Sequence, residues 1–269
     1  MEVTAAGIWS SVERIRRESP VIHNITNYVV MNSTANALLA IGASPVMAHA
    51  EDEVEDMVGI ASALVINIGT LSKKWVKAMR KAAARAGKRG IPVVLDPVGA
   101  GATRYRTETA RGLIEESPPA IIRGNASEIM ALLDWGGGTK GVDSTAASVD
   151  ALAAARELSE RSGSVVCVSG ETDYIVAGQD ETRIRNGHPL MPRVTGLGCT
   201  ASALCGAFAA VQNTPALAAA QAMAVMGIAG EIAAAQAAGP GSLHVAFLDA
   251  LCRLTEADIV QRLKAEGWS

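Results

Sequence analysis

Aromatic side chains are scarce in this chain. Its 269 residues include four Trp, three Tyr and two Phe, although 49% of all residues are apolar. Alanine and glycine fill the difference, which favours closely packed helices and close backbone approach over a core of large rings. The length is sufficient for one large α/β domain or for two small ones.

Three further absences exclude classes of function. The net charge of -3 provides no basic footprint for nucleic acid. The four cysteines form no CxxC pair, which predicts a reduced, cytoplasmic protein without a zinc site. Residues 1–17 predict an amphipathic helix, and no signal peptide is visible. The apolar stretch 214–238 contains Gln221, Glu231 and Gln236, so we expect buried or oligomer-facing helices, with no membrane partner.

Short β-branched runs alternate with longer helical stretches. Strands are predicted at 63–68, 92–95, 120–123 and 164–168, and helices at 72–88 and 150–162. Uniformly apolar strands separated by helices indicate a mostly parallel sheet covered on both faces. No linker interrupts the pattern, since the glycine-rich stretch 135–141 is short enough to be a surface loop. We expect residues 1–269 to form a single domain that is almost wholly helical beyond residue 199.

Polar residues follow each predicted strand. Ligands of parallel sheets bind at the carboxyl ends of the strands. The residues expected to converge there are Asn67, Asp96, Arg123, Asn125, Ser169 and Gly170.

The stretch Val194 to Cys199 reads VTGLGC and leads directly into a helix of small residues. A glycine-rich turn at a helix N-terminus exposes free N–H groups that bind anions, phosphate above all. The pattern alone leaves three alternatives open, which are a phosphate cradle, a cysteine nucleophile and a simple turn.

Two carboxylates follow predicted strands and suit a hydrated magnesium ion. Asp96 precedes a glycine-containing loop, and Glu128 lies three residues after Asn125. The alternatives are a turn-forming Asp before proline and a reciprocal helix cap between Asn125 and Glu128. Arg123 could fork onto phosphate oxygens or form an ordinary ion pair. Ser169 could donate its hydroxyl to a nucleotide phosphate.

The segment 21–32 places Asn and His residues inside an apolar run, which predicts a polar pocket or an interface. Met47 follows a Ser-Pro turn and offers a soft apolar side chain for a heteroaromatic ligand, or simply packs in the core. The four histidines show no metal-ligand spacing.

Seven ordered motifs together resemble the hydroxyethylthiazole kinase family, which belongs to the ribokinase-like superfamily. They begin at His23 (HNITN), Gly42 (GASPVM), Asn67 (NIGTL), Leu95 (LDPVGA), Arg123 (RGNASE), Lys140 (KGVDS) and Thr195 (TGLGC). The resemblance implies a ribokinase-like α/β fold without a separate lid domain. It also implies Mg²⁺-dependent transfer of the ATP γ-phosphoryl group to the primary alcohol of 4-methyl-5-(2-hydroxyethyl)thiazole in thiamine salvage.

The resemblance assigns roles residue by residue. It places the thiazole at Met47, Gly196, Asn27, Val29 and Gly69, ATP at Arg123, Ser169 and Asn125, and the metal at Asp96 and Glu128, partly through water. Gly196, Gly198 and Cys199 are the implied catalytic residues. The family usually has Thr where this chain has Ser169, but the hydroxyl is kept. The family is typically a homotrimer with active sites between subunits.

Cys199 stands where most ribokinase-like enzymes have the aspartate that takes the alcohol's proton. Phosphoryl transfer depends mainly on positioning and charge neutralisation. We therefore expect Cys199 to position the hydroxyl and accept its proton late, while the Gly196–Cys199 N–H groups stabilise the phosphoryl group. Three rival functions remain. The first is a cysteine-nucleophile enzyme, for which no His–acid pair is evident. The others are a non-catalytic binding protein and a kinase of another alcohol such as a hydroxymethylpyrimidine.

Overall fold

The computed structural model describes residues 2–133 and 144–267. The glycine-rich stretch 135–141 and residues 140–143 of the KGVDS motif lie outside the described residues.

A single twisted sheet runs through the described part of the chain. Its strands are β1 (Val21–Ile25), β2 (Ser44–Val46), β3 (Ala63–Asn67), β4 (Val93–Asp96), β5 (Ile121–Asn125), β6 (Val165–Ser169), β7 (Asp173–Ala177), β8 (Asp180–Ile184) and β9 (Ala265–Glu266). Their spatial order is β2-β1-β3-β4-β5-β6-β7-β8-β9. The pairs from β2 to β6 are parallel and those from β6 to β9 are antiparallel. The predicted mostly parallel α/β fold is confirmed.

Helices cover both faces of this sheet. One face carries α1 (Ala5–Glu18), α2 (Met31–Ile41), α8 (Leu197–Val211), α9 (Pro215–Ala234), α10 (Pro240–Arg253) and α11 (Glu256–Arg262). The opposite face carries α3 (Val54–Ile60), α4 (Lys73–Arg89), α5 (Arg104–Glu116), α6 (Ala126–Ala131) and α7 (Ser144–Ser162). Each face has its own hydrophobic cluster, so the sheet is buried on both sides.

The central strands form where the apolar runs predict them. All five residues of β3 are buried, with Val65 facing one hydrophobic cluster and Leu64 and Ile66 facing the other. This alternation is the period of two that a pleated strand imposes. The helix after β3 begins where the Ser72 hydroxyl accepts a hydrogen bond from the Trp75 N–H at 3.3 Å. Strand and helix boundaries therefore follow from local chemistry.

The structure adds strands that the sequence patterns did not predict. The polar segment 21–32 begins with β1, which pairs with both β2 and β3. A hairpin of β7 and β8 extends the sheet beyond β6, and β9 interrupts the predicted helical C-terminal part by pairing with β8. Apart from these additions, the four predicted strands agree with β3 to β6 to within about two residues.

Helix α9 is long and apolar enough to cross a membrane by length and composition alone. Within the protein, however, 83% of its most apolar window is buried. It packs against α8 and α10. This packing accounts for its composition.

Phe208 is fully buried in α8 against the central sheet. We expect Phe208→Ala to lower the free energy of unfolding by about 3–5 kcal/mol, because the substitution leaves a cavity in a close-packed cluster. Urea denaturation measures this loss. Val260, which is 65% exposed, is the control, and Val260→Ala should change stability by no more than about 0.5 kcal/mol. Equal effects of the two substitutions would contradict the described packing.

Candidate active site

A buried carboxylate, that of Asp96, lies at the carboxyl end of β4. Its side chain is 1% exposed. Oδ2 accepts hydrogen bonds from Asn67 Nδ2 at 2.7 Å and from the Ser202 hydroxyl at 2.8 Å. Burial raises the pKa of Asp96 to about 6, although the Arg123 charge and these hydrogen bonds act in the opposite direction. Because both donors bind Oδ2, Oδ1 is left for a cation or its water.

Asn67, at the end of β3, links Asp96 to the segment that follows β1. Its Oδ1 accepts from Asn27 Nδ2 at 2.9 Å and from the Gly69 N–H at 2.9 Å. The Asn27 amide also lies 3.5 Å from Cys199 Sγ, and its oxygen accepts from the Val29 N–H at 3.1 Å. One chain of hydrogen bonds therefore joins four separate segments at this edge of the sheet.

Cys199 occupies the first turn of α8 and is partly buried. Burial raises the pKa of its thiol to about 11, and the nearby negative charge of Asp96 acts in the same direction. The thiol therefore carries its proton at neutral pH. A protonated thiol is neither a strong nucleophile nor a ready acceptor of the alcohol's proton.

The turn before α8 depends on Gly196, whose φ of 86° lies in the left-handed region. A Cβ atom here would also lie 2.7 Å from Val30 Cγ1. Two residues later, a Cβ at Gly198 would lie 3.0 Å from Arg123 Nη1. The Arg123 guanidinium therefore lies directly against the first turn of α8, where the free N–H groups of the helix are located.

Arg123 extends from β5 towards the end of β6. Its Nη2 donates to the Ser169 hydroxyl at 2.6 Å, and that hydroxyl donates to the Gly124 carbonyl at 3.3 Å. The Nε of Arg123 is buried and has no hydrogen-bond partner in the described structure. A buried donor without a partner is expensive, so an anionic ligand is the natural acceptor here.

A cavity of about 980 Å³ opens beside Arg123. Such a volume is at the upper end of the range for cofactor sites. Its lining includes polar residues, Arg123, Asn125 and Ser169, together with Gly198 and the apolar side chains of Met191, Met223 and Met226. A cation, hydroxyl and amide groups and apolar surface in one cavity match the polarity of a nucleotide.

Glu128 forms the capping box that the sequence allowed. Its Oε2 accepts from the Asn125 N–H at 2.9 Å, and the Asn125 side chain accepts from the Glu128 N–H at 3.0 Å. Oε1 accepts from the Gly99 N–H at 2.9 Å, in the loop after β4. Each carboxylate oxygen has further acceptor capacity, so the capping role leaves Glu128 able to bind a metal-held water.

The donor set suits Mg²⁺ better than a softer metal. No cluster of three or more His, Cys, Asp or Glu side chains is found among the described residues. Asp96 and Glu128 together offer two hard oxygen ligands, and Mg²⁺ usually keeps several waters and takes few protein ligands. The residues present therefore fit a hydrated magnesium ion.

The side chains of Met47 and Val29 are apolar and take no part in this hydrogen-bonded network. Met47 directly follows the edge strand β2 and is half-buried. The Val29 side chain is 68% exposed, and its backbone alone reaches the site through Asn27. Asn27, Gly69, Gly196 and Cys199, in contrast, lie in or beside the hydrogen-bonded centre.

Three residues to which the sequence assigned no role shape this edge. Asn67 lies near the end of the predicted strand 63–68 and was expected at this edge, although its linking role was not predicted. Ser202 lies three residues after Cys199, on the same face of α8. Arg106 donates to the carbonyls of Ile68, Val98 and Gly69 and so fixes the loops after β3 and β4. No motif marks this arginine.

Comparison with known proteins gives a consistent result. Residues 12–257 match the family model of the hydroxyethylthiazole kinase family. A hydroxyethylthiazole kinase from Syntrophus aciditrophicus (strain SB) is 65% identical over 98% of both chains. The structure of a hydroxyethylthiazole kinase protein from Pyrococcus horikoshii OT3 is 43% identical, with a TM-score of 0.90, and covers 97% of this chain and 98% of its own.

The fold likeness extends further than the sequence likeness. A ribokinase-like superfamily protein from Enterococcus faecalis V583 is 15% identical, with a TM-score of 0.62 and 86% of each chain covered. The family match and the shared fold therefore define a kinase with the ribokinase-like fold. Within that class, the extent and identity of the matches are decisive. The chain belongs to the hydroxyethylthiazole kinase family.

Asp173 lies beside this cavity and is 7% exposed. Burial raises its pKa to about 6, against the hydrogen bond from the Gly170 N–H and the charge of Arg123. In an unfolded chain, the pKa of an Asp side chain is about 3.9. Between these values the folded protein binds more protons than the unfolded chain, so this side chain's contribution to stability falls as pH rises.

We therefore expect the free energy of unfolding of Asp173→Asn to increase relative to that of the unsubstituted protein as the pH rises. Between about pH 4 and pH 7 this relative increase should amount to roughly 2–3 kcal/mol. Urea unfolding at each pH measures the difference. Asp180→Asn, at an exposed position, should show no such trend. A pH-independent difference for Asp173→Asn would contradict the raised pKa.

Proposed function

We propose that this chain transfers the γ-phosphoryl group of ATP to the primary hydroxyl of 4-methyl-5-(2-hydroxyethyl)thiazole. Family membership supports this substrate pair. The observation that carries the proposal is the contact between Arg123 and the first turn of α8. It places a fixed positive charge beside free backbone N–H groups, next to a cavity of nucleotide size.

ATP occupies the cavity with its phosphates at Arg123 and Ser169, and Asn125 also lines this cavity. Asp96 and Glu128 would hold Mg²⁺, partly through water, and the bound ion would supply positive charge that neutralises the phosphates. Arg123 Nε and Nη1 donate to phosphate oxygens, which gives the orphaned Nε its partner. The N–H groups from Gly196 to Cys199 stabilise the phosphoryl group during transfer.

The thiazole alcohol binds at Asn27, Gly69 and Gly196, with Met47 and Val29 at the outer side. Cys199 positions the hydroxyl through its protonated thiol, next to the Asn27 amide. Phosphoryl transfer passes through a loose transition state, so the hydroxyl proton need not leave early. We assign its acceptance to an oxygen of the transferred phosphoryl group, in place of the acceptance by Cys199 that the sequence suggested.

The same proposal includes a cytoplasmic homotrimer with active sites between subunits. Tyr28 and Val29 are 64% and 68% exposed although they directly follow Asn27, and a neighbouring subunit would cover them. The free cysteines of the chain support the cytoplasmic location. Light scattering of the purified protein gives its assembly state.

The substrate assignment predicts that the thiazole alcohol is phosphorylated faster than a hydroxymethylpyrimidine in the presence of ATP and Mg²⁺. ADP release measured with each alcohol in parallel tests this. Chelation by EDTA should abolish turnover, and added Mg²⁺ should restore it, since both carboxylates at the site suit that ion. Faster turnover of the pyrimidine alcohol would overturn the substrate assignment. Full activity in EDTA would overturn the assignment of Mg²⁺ to the site.

Cys199→Ser should slow turnover roughly three- to tenfold without abolishing it, because a hydroxyl keeps a hydrogen-bonding group beside Asn27. Initial rates at saturating ATP measure the effect. Cys252 is exposed, so Cys252→Ser is the matched control and should retain full activity. Complete loss of activity in Cys199→Ser, or a phosphorylated cysteine detected by mass spectrometry, would instead support a covalent nucleophile.

A further inference from the structure

One wall of the cavity is irregular chain. Residues 185–196, here the wall segment, connect β8 to α8 and include a single turn of 3-10 helix at Met191–Arg193. Arg185, Asn186, Gly187, His188 and Met191 from this segment line the cavity. A segment without regular hydrogen bonding holds its shape only through contacts with its neighbours.

Helix α9 provides those contacts on one face. Met223, Met226, Gly227, Gly230 and Glu231 follow the spacing that places residues on the same side of a helix. A Cβ at Gly227 would lie 2.5 Å from the backbone of Asn186, and a Cβ at Gly230 would lie 2.2 Å from Met191 Sδ. The wall segment therefore lies directly on the backbone of α9.

Glu231 fastens the wall segment to this helix. One oxygen, Oε1, accepts from Asn186 Nδ2 at 3.1 Å, from the Gly187 N–H at 3.1 Å and from Lys264 Nζ at 2.9 Å. The Glu231 side chain is 13% exposed. Burial would raise the pKa of Glu231, but these three hydrogen bonds outweigh it and hold the pKa below its ordinary value. The carboxylate is therefore charged at neutral pH.

The C-terminal part of the chain completes the attachment. Asn186 Nδ2 also donates to the Arg262 carbonyl at 2.7 Å, and Asn186 Oδ1 accepts from the Lys264 N–H at 2.9 Å. The Arg185 N–H donates to the Lys264 carbonyl at 2.9 Å. The Asn186 amide is thus fully engaged within the protein, which makes it a structural part of the wall rather than a ligand donor.

We infer that Glu231 is a positioning residue for the nucleotide, because it holds Asn186 and Gly187 in the shape that forms one wall of the cavity. This inference rests on the proposed use of the cavity for ATP. Glu231 acts on the nucleotide only through the wall segment. The thiazole side, centred on Asn27 and Cys199, does not depend on it.

The test compares Glu231→Ala with Glu231→Gln. Glu231→Ala leaves three donors without an acceptor, so the KM for ATP should rise roughly tenfold, while kcat and the KM for the thiazole alcohol change less than about twofold. Glu231→Gln keeps an acceptor oxygen and should recover most of the loss. Glu157→Ala, which removes an exposed ion pair with Arg161 on α7, is the control and should behave as the unsubstituted protein.

Hydrogen exchange and calorimetry separate this inference from the proposed function. Amide exchange within residues 185–196 should speed up in Glu231→Ala and not in Glu157→Ala. Titration with ADP and Mg²⁺ should give a dissociation constant about tenfold higher for Glu231→Ala. A protein that binds ADP but does not phosphorylate the thiazole alcohol overturns the proposed function, and the ADP comparison still decides the role of Glu231.

If Glu231→Ala fails to fold, Lys264→Met removes one of the three donors and leaves the Asn186 and Gly187 bonds in place. A rise of about threefold in the ADP dissociation constant, with faster exchange in the wall segment, supports the inference. Unchanged ADP binding and unchanged exchange in the variants that fold would overturn it. A decrease in kcat together with equal increases in both KM values would also overturn it, because that pattern indicates general destabilisation.

Discussion

The burial of the Asp96 carboxylate is the constraint on which the arrangement of polar residues at the carboxyl ends of the strands depends. A carboxylate that is 1% exposed needs hydrogen-bond donors, and the structure provides them from Asn67 and Ser202. These two donors come from β3 and from α8, so satisfying one charge fixes the spacing between a central strand and the helix above it. Asn67 then extends the same network to Asn27, and through it to Cys199. In the proposed function, metal binding and alcohol positioning thus share one set of polar contacts.

The position of α8 follows from this network and from small side chains. The helix is buried along most of its length, and its start is fixed by the left-handed turn at Gly196. Absence of a side chain at Gly198 lets the Arg123 guanidinium lie against the first turn. The scarcity of aromatic residues and the abundance of alanine and glycine therefore have a direct structural use, since larger side chains would separate the helix from the sheet and from the arginine.

The parts of the structure that could be predicted are those that local chemistry decides. Strands β3 to β6 are uniformly apolar, and the residues after them meet at one edge because parallel strands end together. Strand β1 was missed because His23 and Asn24 are buried polar residues within it, a pattern that resembles a pocket-lining segment. The role of Ser202 is invisible in an alanine-rich helix, and Arg106 acts on backbone carbonyls, which no residue pattern encodes. The raised pKa of Cys199 reflects tertiary burial, which its position at the start of a helix does not reveal.

The contact between β9 and β8 has a consequence for the order of events during synthesis. Lys264 lies 78 residues after Asn186 in the chain, yet its N–H donates to the Asn186 side chain, directly before the pairing of β9 with β8. The strands and loops that carry Asp96, Arg123 and Ser169 are complete once α8 has been made. The cavity wall becomes fixed only when Lys264 has also been synthesised and can contact Asn186. A growing chain can thus assemble the edge that carries Asp96 and Arg123 before one wall of the neighbouring cavity has its final shape.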